Sequence, residues 1–339
     1  MRHVDQQGMT RRTMLRAGAA AGTAATFGAA GLFAAGPATA ATTVGRRTRG
    51  TPYPAGVTDT SHCTPEAAAI FRGFFTAKSE HDVAPLMSYF SRANTTYLDA
   101  CLGISLTSWQ EVETTFASVF ASAPASAISY PLRIVGDTRS AAIELVDTPE
   151  FFVPQEIRAL SSVTFDRHQK IIRWVDYWDG RSSLKQNAIT STYPTDFKDS
   201  EQNADPAVVR VAGQLQAAFA AGDAAAVVAL MSYDVVHADM AAHTRVRGTL
   251  QAQRYYTRAL GQLPYGPGAS LVHAEGNRQG GGYEWSAAPD AAPMRRGHTC
   301  IELDEDGKIS YLITVYDSSL LSYPAYQSLV GLAAEAPLS

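Results

Sequence analysis

Several carboxylates and histidines lie in apolar segments, where general acid–base chemistry is feasible. Asp99 and Asp239 each end a short apolar segment, and His237 lies two residues before Asp239. Residues two apart on a strand point the same way, so His237 and Asp239 would share a face. A carboxylate among apolar atoms has a raised pKa and can act as a base. The alternative is that an aspartate at a strand end caps a turn.

Further candidates lie on alternating, strand-like segments. Asp176 lies within residues 171–178, and Glu144 and Glu284 lie between apolar neighbours. The two glutamates either face a pocket or point to solvent with the period of two of a strand. The residues expected to bind a substrate are Glu144, Glu284, Tyr177, Trp178, Trp285 and His298. His237, Asp239 and His243 lack a further obvious ligand, so no metal site is predicted.

The elements that position these residues occur twice. Leu86-Met87-Ser88-Tyr89 recurs as Leu230-Met231-Ser232-Tyr233, an offset of 144. Two further echoes, Ile143-Glu144-Leu145 with Tyr283-Glu284-Trp285 and Lys170-Ile171 with Lys308-Ile309, have offsets of 140 and 138. Such a small, monotonic drift indicates two copies of one domain that differ by short deletions.

Each copy shows helices first and strands afterwards. Thr64-Pro65 and Asp205-Pro206 open the first helices, and a short second helix runs into the repeated motif. A third helix is expected near Thr107-Ser108-Trp109 and near Thr249-Leu250-Gln251, each with a hydroxyl cap. Alternating segments predict antiparallel strands, with a turn at 304–307. The pattern predicts segregated α+β domains that bury one face of a curved sheet.

These patterns divide the chain into five parts. Residues 60–190 are the first domain, 191–202 a linker and 203–335 the second domain, and a flexible tail covers 41–59. Residues 1–40 have the features of a bacterial twin-arginine signal peptide: Arg11-Arg12, a weakly apolar stretch and the small-residue site Ala38-Thr39-Ala40. We therefore expect a protein that is secreted or extracytoplasmic, with no membrane anchor after cleavage.

Composition narrows the classes of partner. The formal net charge is −4, and the only basic cluster beyond the leader is residues 46–49, so nucleic acid is not an expected partner. Three cysteines are too few for a disulfide scaffold. A bridge between Cys63 and Cys101 and free cysteines both stay open.

The order of elements and the motifs resemble the nuclear-transport-factor-2-like superfamily, which includes ketosteroid isomerases, limonene epoxide hydrolases, scytalone dehydratases and SnoaL-like polyketide cyclases. The most specific pieces are residues 217–223 leading into 228–231, and Gly307-Lys308-Ile309 leading into the last strand. The resemblance implies two tandem cone-shaped domains, each a curved antiparallel sheet wrapped on N-terminal helices. It also implies pockets that need no cofactor.

Two templates within this superfamily match only in part. The resemblance to ketosteroid isomerases puts the catalytic base at Asp239 and Asp99, but Leu215 and about Thr299 occupy the oxyanion-donor positions. The segment 174–179 resembles a limonene epoxide hydrolase strand, with Asp176 as the water-activating aspartate. Leucine stands at the position of the bridging arginine, and Thr314 replaces Asp176 in the second copy.

Two functions from different classes follow. The first is a secreted, cofactor-independent enzyme acting on a small apolar, polyketide- or terpenoid-like molecule. Its catalytic candidates are Asp99, Asp239, Asp176 and His237, and its reaction is isomerisation, cyclisation, dehydration or epoxide hydrolysis. The second is a non-catalytic secreted binding protein. In both, the first domain packs on the second as a pseudo-dimer.

Overall fold

A computed structural model describes residues 51–183, 203–288 and 294–334. All of them belong to one compact unit that begins at Gly45. The predicted signal peptide, the first part of the tail and the linker at 191–202 lie outside the described residues. We refer to residues 51–183 as the first half and to the remaining described residues as the second half.

The two halves contain the same succession of elements. The first half comprises α1 (Pro65–Ser79), α2 (Val83–Met87), β1 (Thr96–Asp99), β2 (Ile104–Leu106), α3 (Trp109–Ser122), β3 (Ser129–Gly136), β4 (Ser140–Asp147), β5 (Ile157–Phe165), β6 (Ile171–Trp178) and α4 (Gly180–Ser183). The second half comprises α5 (Pro206–Ala220), α6 (Ala224–Ala229), β7 (Met231–Asp239), β8 (Thr244–Arg247), α7 (Thr249–Ala259), β9 (Ser270–Asn277), β10 (Gly280–Ser286), β11 (Arg296–Leu303), β12 (Ile309–Tyr316) and α8 (Tyr323–Gly331).

Local capping explains where the helices begin. The side chains of Thr64, Ser108 and Asp205 each accept a hydrogen bond from a backbone N–H of the first turn, as predicted. The prediction of a hydroxyl cap on α7 is wrong. Gly248 precedes that helix with φ of 81° and no side-chain bond, because the chain turns there through a conformation that only glycine adopts easily.

Each half forms one six-stranded sheet, with the orders β2-β1-β6-β5-β4-β3 and β8-β7-β12-β11-β10-β9. The identical orders confirm the predicted α+β fold class and the repeat. The sheets are mixed rather than wholly antiparallel, because β1 pairs parallel with β6 and β7 pairs parallel with β12. In each half the last strand returns beside the first and runs the same way.

The inner face of each sheet packs against its own helices. We call the enclosed regions the first interior and the second interior. The first is lined by Phe71, Phe74, Phe75, Phe116, Trp174 and Trp178, and the second by Leu215, Phe219, Tyr256, Tyr265, Trp285 and Tyr316. All of these except Leu215 are aromatic, and aromatic side chains dominate a core because each buries a large apolar area.

The outer faces of the two sheets pack on each other. One hydrophobic cluster combines Leu98, Leu160 and Val175 of the first half with Ile313 and Val315 of the second. Because strand side chains alternate, Val175 contacts the other half while its neighbour Trp174 lies in the first interior.

Charged groups are buried within this contact. Arg173 Nη1 lies 2.6 Å from Glu284 Oε1, and both side chains are fully buried. Tyr177 Oη donates to Glu284 Oε2 at 2.7 Å. Burial raises the pKa of Glu284, but the charges of Arg173 and His273 and the hydrogen bonds outweigh it and hold the pKa at about 2. Glu284 is therefore ionised in the folded protein.

The ends of the last strands also join the halves. Asp179 accepts hydrogen bonds from the backbone N–H and the hydroxyl of Ser318, at 2.8 and 3.0 Å. In return, Asp317 accepts from the backbone N–H of Gly180 at 3.1 Å. The recurring aspartates thus cap the opposite half as well as their own turn.

The cysteines form no disulfide bond. All three, Cys63, Cys101 and Cys300, are free thiols, so no bridge joins Cys63 to Cys101. Across the described ranges, no helix combines the length and the apolar character needed to cross a bilayer.

The ion pair between Arg173 and Glu284 leads to a prediction about the stability of the protein. Glu284→Gln keeps the size of the side chain but removes the negative charge that lies 2.6 Å from the buried Arg173 guanidinium. We expect the free energy of unfolding at pH 7 to fall by about 3–5 kcal/mol. Urea denaturation measures it, with the exposed Glu305→Gln as the control. A loss no larger than that of the control would contradict the role assigned to the pair.

Candidate functional site

Two carboxylates meet in the first interior because their strands are neighbours. Asp99 on β1 and Asp176 on β6 are paired positions of the parallel register. Tyr97 is paired with Trp174 in the same way, so these four side chains lie on the helix-facing side of the sheet. The sequence predicted both carboxylates as candidates, and the fold brings them together.

Asp176 is held by three side-chain donors. Trp174 Nε1 donates to Oδ1 at 2.6 Å, the hydroxyl of Ser161 also donates to Oδ1, and the hydroxyl of Tyr97 donates to Oδ2. Burial raises the pKa of Asp176, while the charge of Lys78 and these hydrogen bonds oppose the rise. The carboxylate is thus fixed in orientation by its neighbours.

Asp99 has a different environment. Its Oδ1 accepts backbone N–H groups of Cys101 and Leu102 at 2.9 and 2.8 Å, and Trp178 Nε1 lies 3.1 Å from both oxygens. Burial, with a contribution from the charge of Asp176, raises the pKa of Asp99 to about 7 despite these bonds. The residue as a whole is half-buried. Asp99 therefore caps a turn and also has the pKa of an acid–base group.

A buried cation completes the first interior. Lys78 Nζ lies 2.9 Å from Asp147 Oδ1, with both side chains almost fully buried. The ammonium also lies 5.1 and 5.3 Å from the ring centres of Phe152 and Phe151. Sequence reasoning missed Lys78. The signal was its position on α1, seven residues after Phe71 on an otherwise apolar helix face.

The second interior places Asp239 among tyrosines. Its Oδ2 lies 3.2 Å from the hydroxyls of both Tyr265 and Tyr316, and its Oδ1 accepts the backbone N–H of Ala242 at 2.8 Å. Burial raises its pKa to about 7, opposed by these hydrogen bonds. Only 1% of Asp239 is exposed, which closes it off more than Asp99.

His237 is buried beside Asp239 but bonds elsewhere. Its Nδ1 lies 3.1 Å from the hydroxyl of Tyr256, and the two rings stack at 5.1 Å. Burial lowers the pKa of His237 to about 3, so the imidazole is neutral at pH 7. Within the described ranges, no cluster of three His, Cys, Asp or Glu side chains is arranged to hold a metal ion.

Each interior has an aspartate at the end of its first strand, and the other polar side chains differ between the two interiors. Trp178 and Tyr316 occupy equivalent strand positions, and each donates to the strand-end aspartate of its half. Thr314 is paired with Asp239 as Asp176 is paired with Asp99. The first interior therefore contains two carboxyls side by side, and the second contains one.

The remaining predicted residues lie in two places. Trp178 and Trp285 lie in the first and second interiors, where Trp285 packs on the rings of Tyr265 and Tyr316. Glu144, Glu284, Tyr177 and His298 lie between the sheets, where His298 pairs with Glu275, Tyr177 bonds Glu284, and Glu144 is 3.7 Å from Arg133. These four side chains line neither interior.

Comparisons with known proteins give a likeness to solved structures. No family model matches the chain, and neither does any curated protein. A protein of Catenulispora acidiphila with a ketosteroid isomerase-like fold, solved with trimethylamine, is 20% identical; the match covers 40% of this chain and 99% of that one, with a TM-score of 0.31.

Two further solved structures have similar sequence identities and TM-scores. A steroid delta-isomerase from Pseudomonas aeruginosa is 15% identical over 39% of this chain and 93% of its own, with a TM-score of 0.31. A putative polyketide cyclase from Sinorhizobium meliloti is 18% identical over 32% and 93%, with a TM-score of 0.28. These names fall within the superfamily that the sequence resembles. Activity has to be argued from the residues of the site.

The raised pKa of Asp239 predicts a pH-dependent stability. The folded state prefers the protonated carboxyl, so stability is present below the unfolded pKa of about 3.8 and is lost as pH rises towards 7. The Asp239→Asn variant does not lose stability in this way, because its amide stays neutral at every pH in this range. We expect it to be more stable than the parent at pH 8, by up to roughly 4 kcal/mol, and the gain to shrink at pH 5.

Chemical denaturation at the two pH values measures this difference. Asp306→Asn changes an exposed aspartate and serves as the control, with no pH-dependent gain. A pH-independent effect of Asp239→Asn would show that the carboxyl titrates normally in the folded protein.

Proposed function

We propose that the first interior is the active site of a cofactor-independent enzyme that transfers a proton to or from a small, mostly apolar molecule. The observation that carries the proposal is the pair of carboxyls at matched positions of neighbouring strands, Asp99 and Asp176, within an aromatic interior. One of them has a pKa of about 7, which suits acid–base work at neutral pH.

Asp99 is the proton-transferring group in this proposal. Both backbone donors bind its Oδ1, so Oδ2 shares only the contact with Trp178 and keeps a lone pair for a proton. Asp99 as a residue is half-buried, whereas Asp239 is 1% exposed, and this difference supports access by a small molecule at Asp99. A base with a pKa of about 7 is half ionised at pH 7 and can take up a proton and return it.

Asp176 is the partner that its hydrogen bonds hold in a fixed orientation. Three donors and the nearby positive charge of Lys78 stabilise its charged form. Its negative charge raises the pKa of Asp99 and makes Asp99 a stronger base. The Lys78–Asp147 pair places a cation in the same interior, where it can stabilise negative charge that develops on a substrate oxygen.

The lining indicates the class of substrate. Phe74, Phe116 and Trp174 give the interior an apolar lining, and its polar groups are the carboxyl pair with its donors and the Lys78–Asp147 ion pair. Isomerisation, cyclisation, dehydration and epoxide hydrolysis each use a base that removes a proton from carbon or from water. This chemistry suits a small polyketide- or terpenoid-like molecule with a carbonyl or epoxide oxygen.

A binding role without catalysis is the second candidate. In the second interior the acid–base groups are not accessible to a substrate. Asp239 and His237 are closed off from solvent, and His237 is neutral. In our proposal this half supports the first one structurally. The twin-arginine motif at Arg11-Arg12 supports export of the folded chain, which cleavage after Ala40 would test.

The matched aspartates provide the activity test. We expect Asp99→Asn to lower turnover by about 10²-fold or more, since it removes the base, and Asp239→Asn to leave turnover nearly unchanged. The assay uses a panel of small β,γ-unsaturated ketones and 1,2-epoxides, followed by absorbance and by diol formation. Turnover by the parent should fall as pH drops through about 7, because Asp99 must be deprotonated.

The same assay separates the alternatives. Loss in Asp239→Asn alone would move the active site to the second interior. Full turnover in both variants would contradict a carboxylate base. Circular dichroism and unfolding curves check that each variant folds.

A further inference from the structure

A basic groove lies on the surface of the first half, away from the carboxyl pair. It has a volume of about 920 Å³ and lies between the end of α2, the residues before β1, the start of α3 and the turn between β5 and β6. We define the basic groove by Met87, Arg92, Trp109, Arg167, His168 and Lys170. The acidic residues Glu113 and Asp166 also line it.

Arg92 and Arg167 are the cations that the groove offers to a partner. Lys170 Nζ already donates to the carbonyl of Ser88 at 2.7 Å, and Arg167 Nε donates to His168 Nε2 at 3.1 Å. The guanidinium of Arg92 lies 4.3 Å from the ring centre of Trp109, and the side chains of Arg92 and Arg167 are exposed. The acids are engaged locally. Asp166 accepts the backbone N–H groups of His168 and Lys170 at 2.8 and 2.9 Å, and Glu113 accepts from Gln110 at 2.8 Å.

The equivalent turn of the second half is acidic at two positions where the first half has basic residues. Its turn between β11 and β12 carries Glu305 and Asp306 where the first half has Arg167 and His168. Asp234 and Tyr233 lie near the start of β7, and Tyr233 is 89% exposed. The backbone N–H of Ile309 bonds the carbonyl of Leu230 at 2.9 Å, which holds the turn against this segment. We define the acidic tip as Tyr233, Asp234, Glu305 and Asp306.

We propose that the basic groove binds the acidic tip of a second copy of this chain. The charges are complementary, and the groove offers apolar surface from Trp109 to the exposed ring of Tyr233. Aromatic side chains of this kind commonly anchor protein contacts. A second copy is the partner that the chain itself supplies, because each copy carries both complementary surfaces.

The contact joins unlike surfaces. The groove lies on one half and the tip on the other, so each copy contributes one of each and the contact can repeat head to tail. Exposed ion pairs contribute little individually and are screened by salt. The association is therefore weak, grows with protein concentration and weakens as ionic strength rises.

Charge reversal tests the pairing. Sedimentation velocity of the full chain, over a concentration series at low salt, should show a mass that rises with concentration. Arg167→Glu and Glu305→Arg should each weaken self-association at least ten-fold. The exposed Arg278→Glu, in the turn between β9 and β10, is the matched control and should leave it unchanged. Tyr233→Ala tests the aromatic anchor without a change of charge.

Mixing the two reversed variants gives the sharpest outcome. Arg167→Glu retains an intact tip and Glu305→Arg an intact groove, so an equal mixture should associate although neither variant does so alone. The chain that carries both reversals should recover self-association. A parent that stays monomeric throughout, or one whose mass responds equally to Arg278→Glu, would overturn the proposal. So would a monomer whose groove binds only an added acidic, tyrosine-containing peptide.

Discussion

The buried charges between the two sheets are the constraint on which the rest of the structure depends. Arg173 and Glu284 are both fully removed from water, and such a pair is tolerable only when each charge faces the other. The pair fixes how one sheet lies on the other, and the hydrophobic cluster around Val175 and Ile313 fills the space beside it. Since the outer faces are covered in this way, only the inner faces of the sheets remain for a binding site.

This arrangement lets the two interiors differ while the fold stays the same. Each half has an aspartate at the end of its first strand and an aromatic donor on its last strand, so Asp99 and Asp239 share a local geometry and a pKa of about 7. Asp176 and the Lys78–Asp147 pair occur only in the first interior. The second interior has Thr314 and a set of buried tyrosines instead. The proton transfer that we propose therefore belongs to the first half, while buried tyrosines fill the second.

The sequence predicted the fold better than it predicted the site. Offsets of the repeat and alternation along 171–178 gave the order of the elements and placed Asp99 and Asp176 on strands. Alternation tells which residues share a face, but it does not tell which face another sheet covers, so Glu284 was assigned to a pocket although it lies between the sheets. The parallel pairing of β1 with β6 is a contact between distant segments, which no local pattern reports. Lys78 was missed because its partner Asp147 lies 69 residues away.

The turn between β5 and β6 and the turn between β11 and β12 each contain positions that stabilise the turn and positions that change between the halves. Asp166 and Asp304 occupy equivalent places, and each accepts backbone N–H groups that shape its turn. Lys170 and Lys308 are also equivalent, and their ammonium groups bond the carbonyls of Ser88 and Ala229. Of the three positions between the aspartate and the lysine, the first two change from Arg167-His168 to Glu305-Asp306. Fold requirements therefore account for the residues that match between the halves. The reversed charges need a different cause, and contact with a partner supplies one.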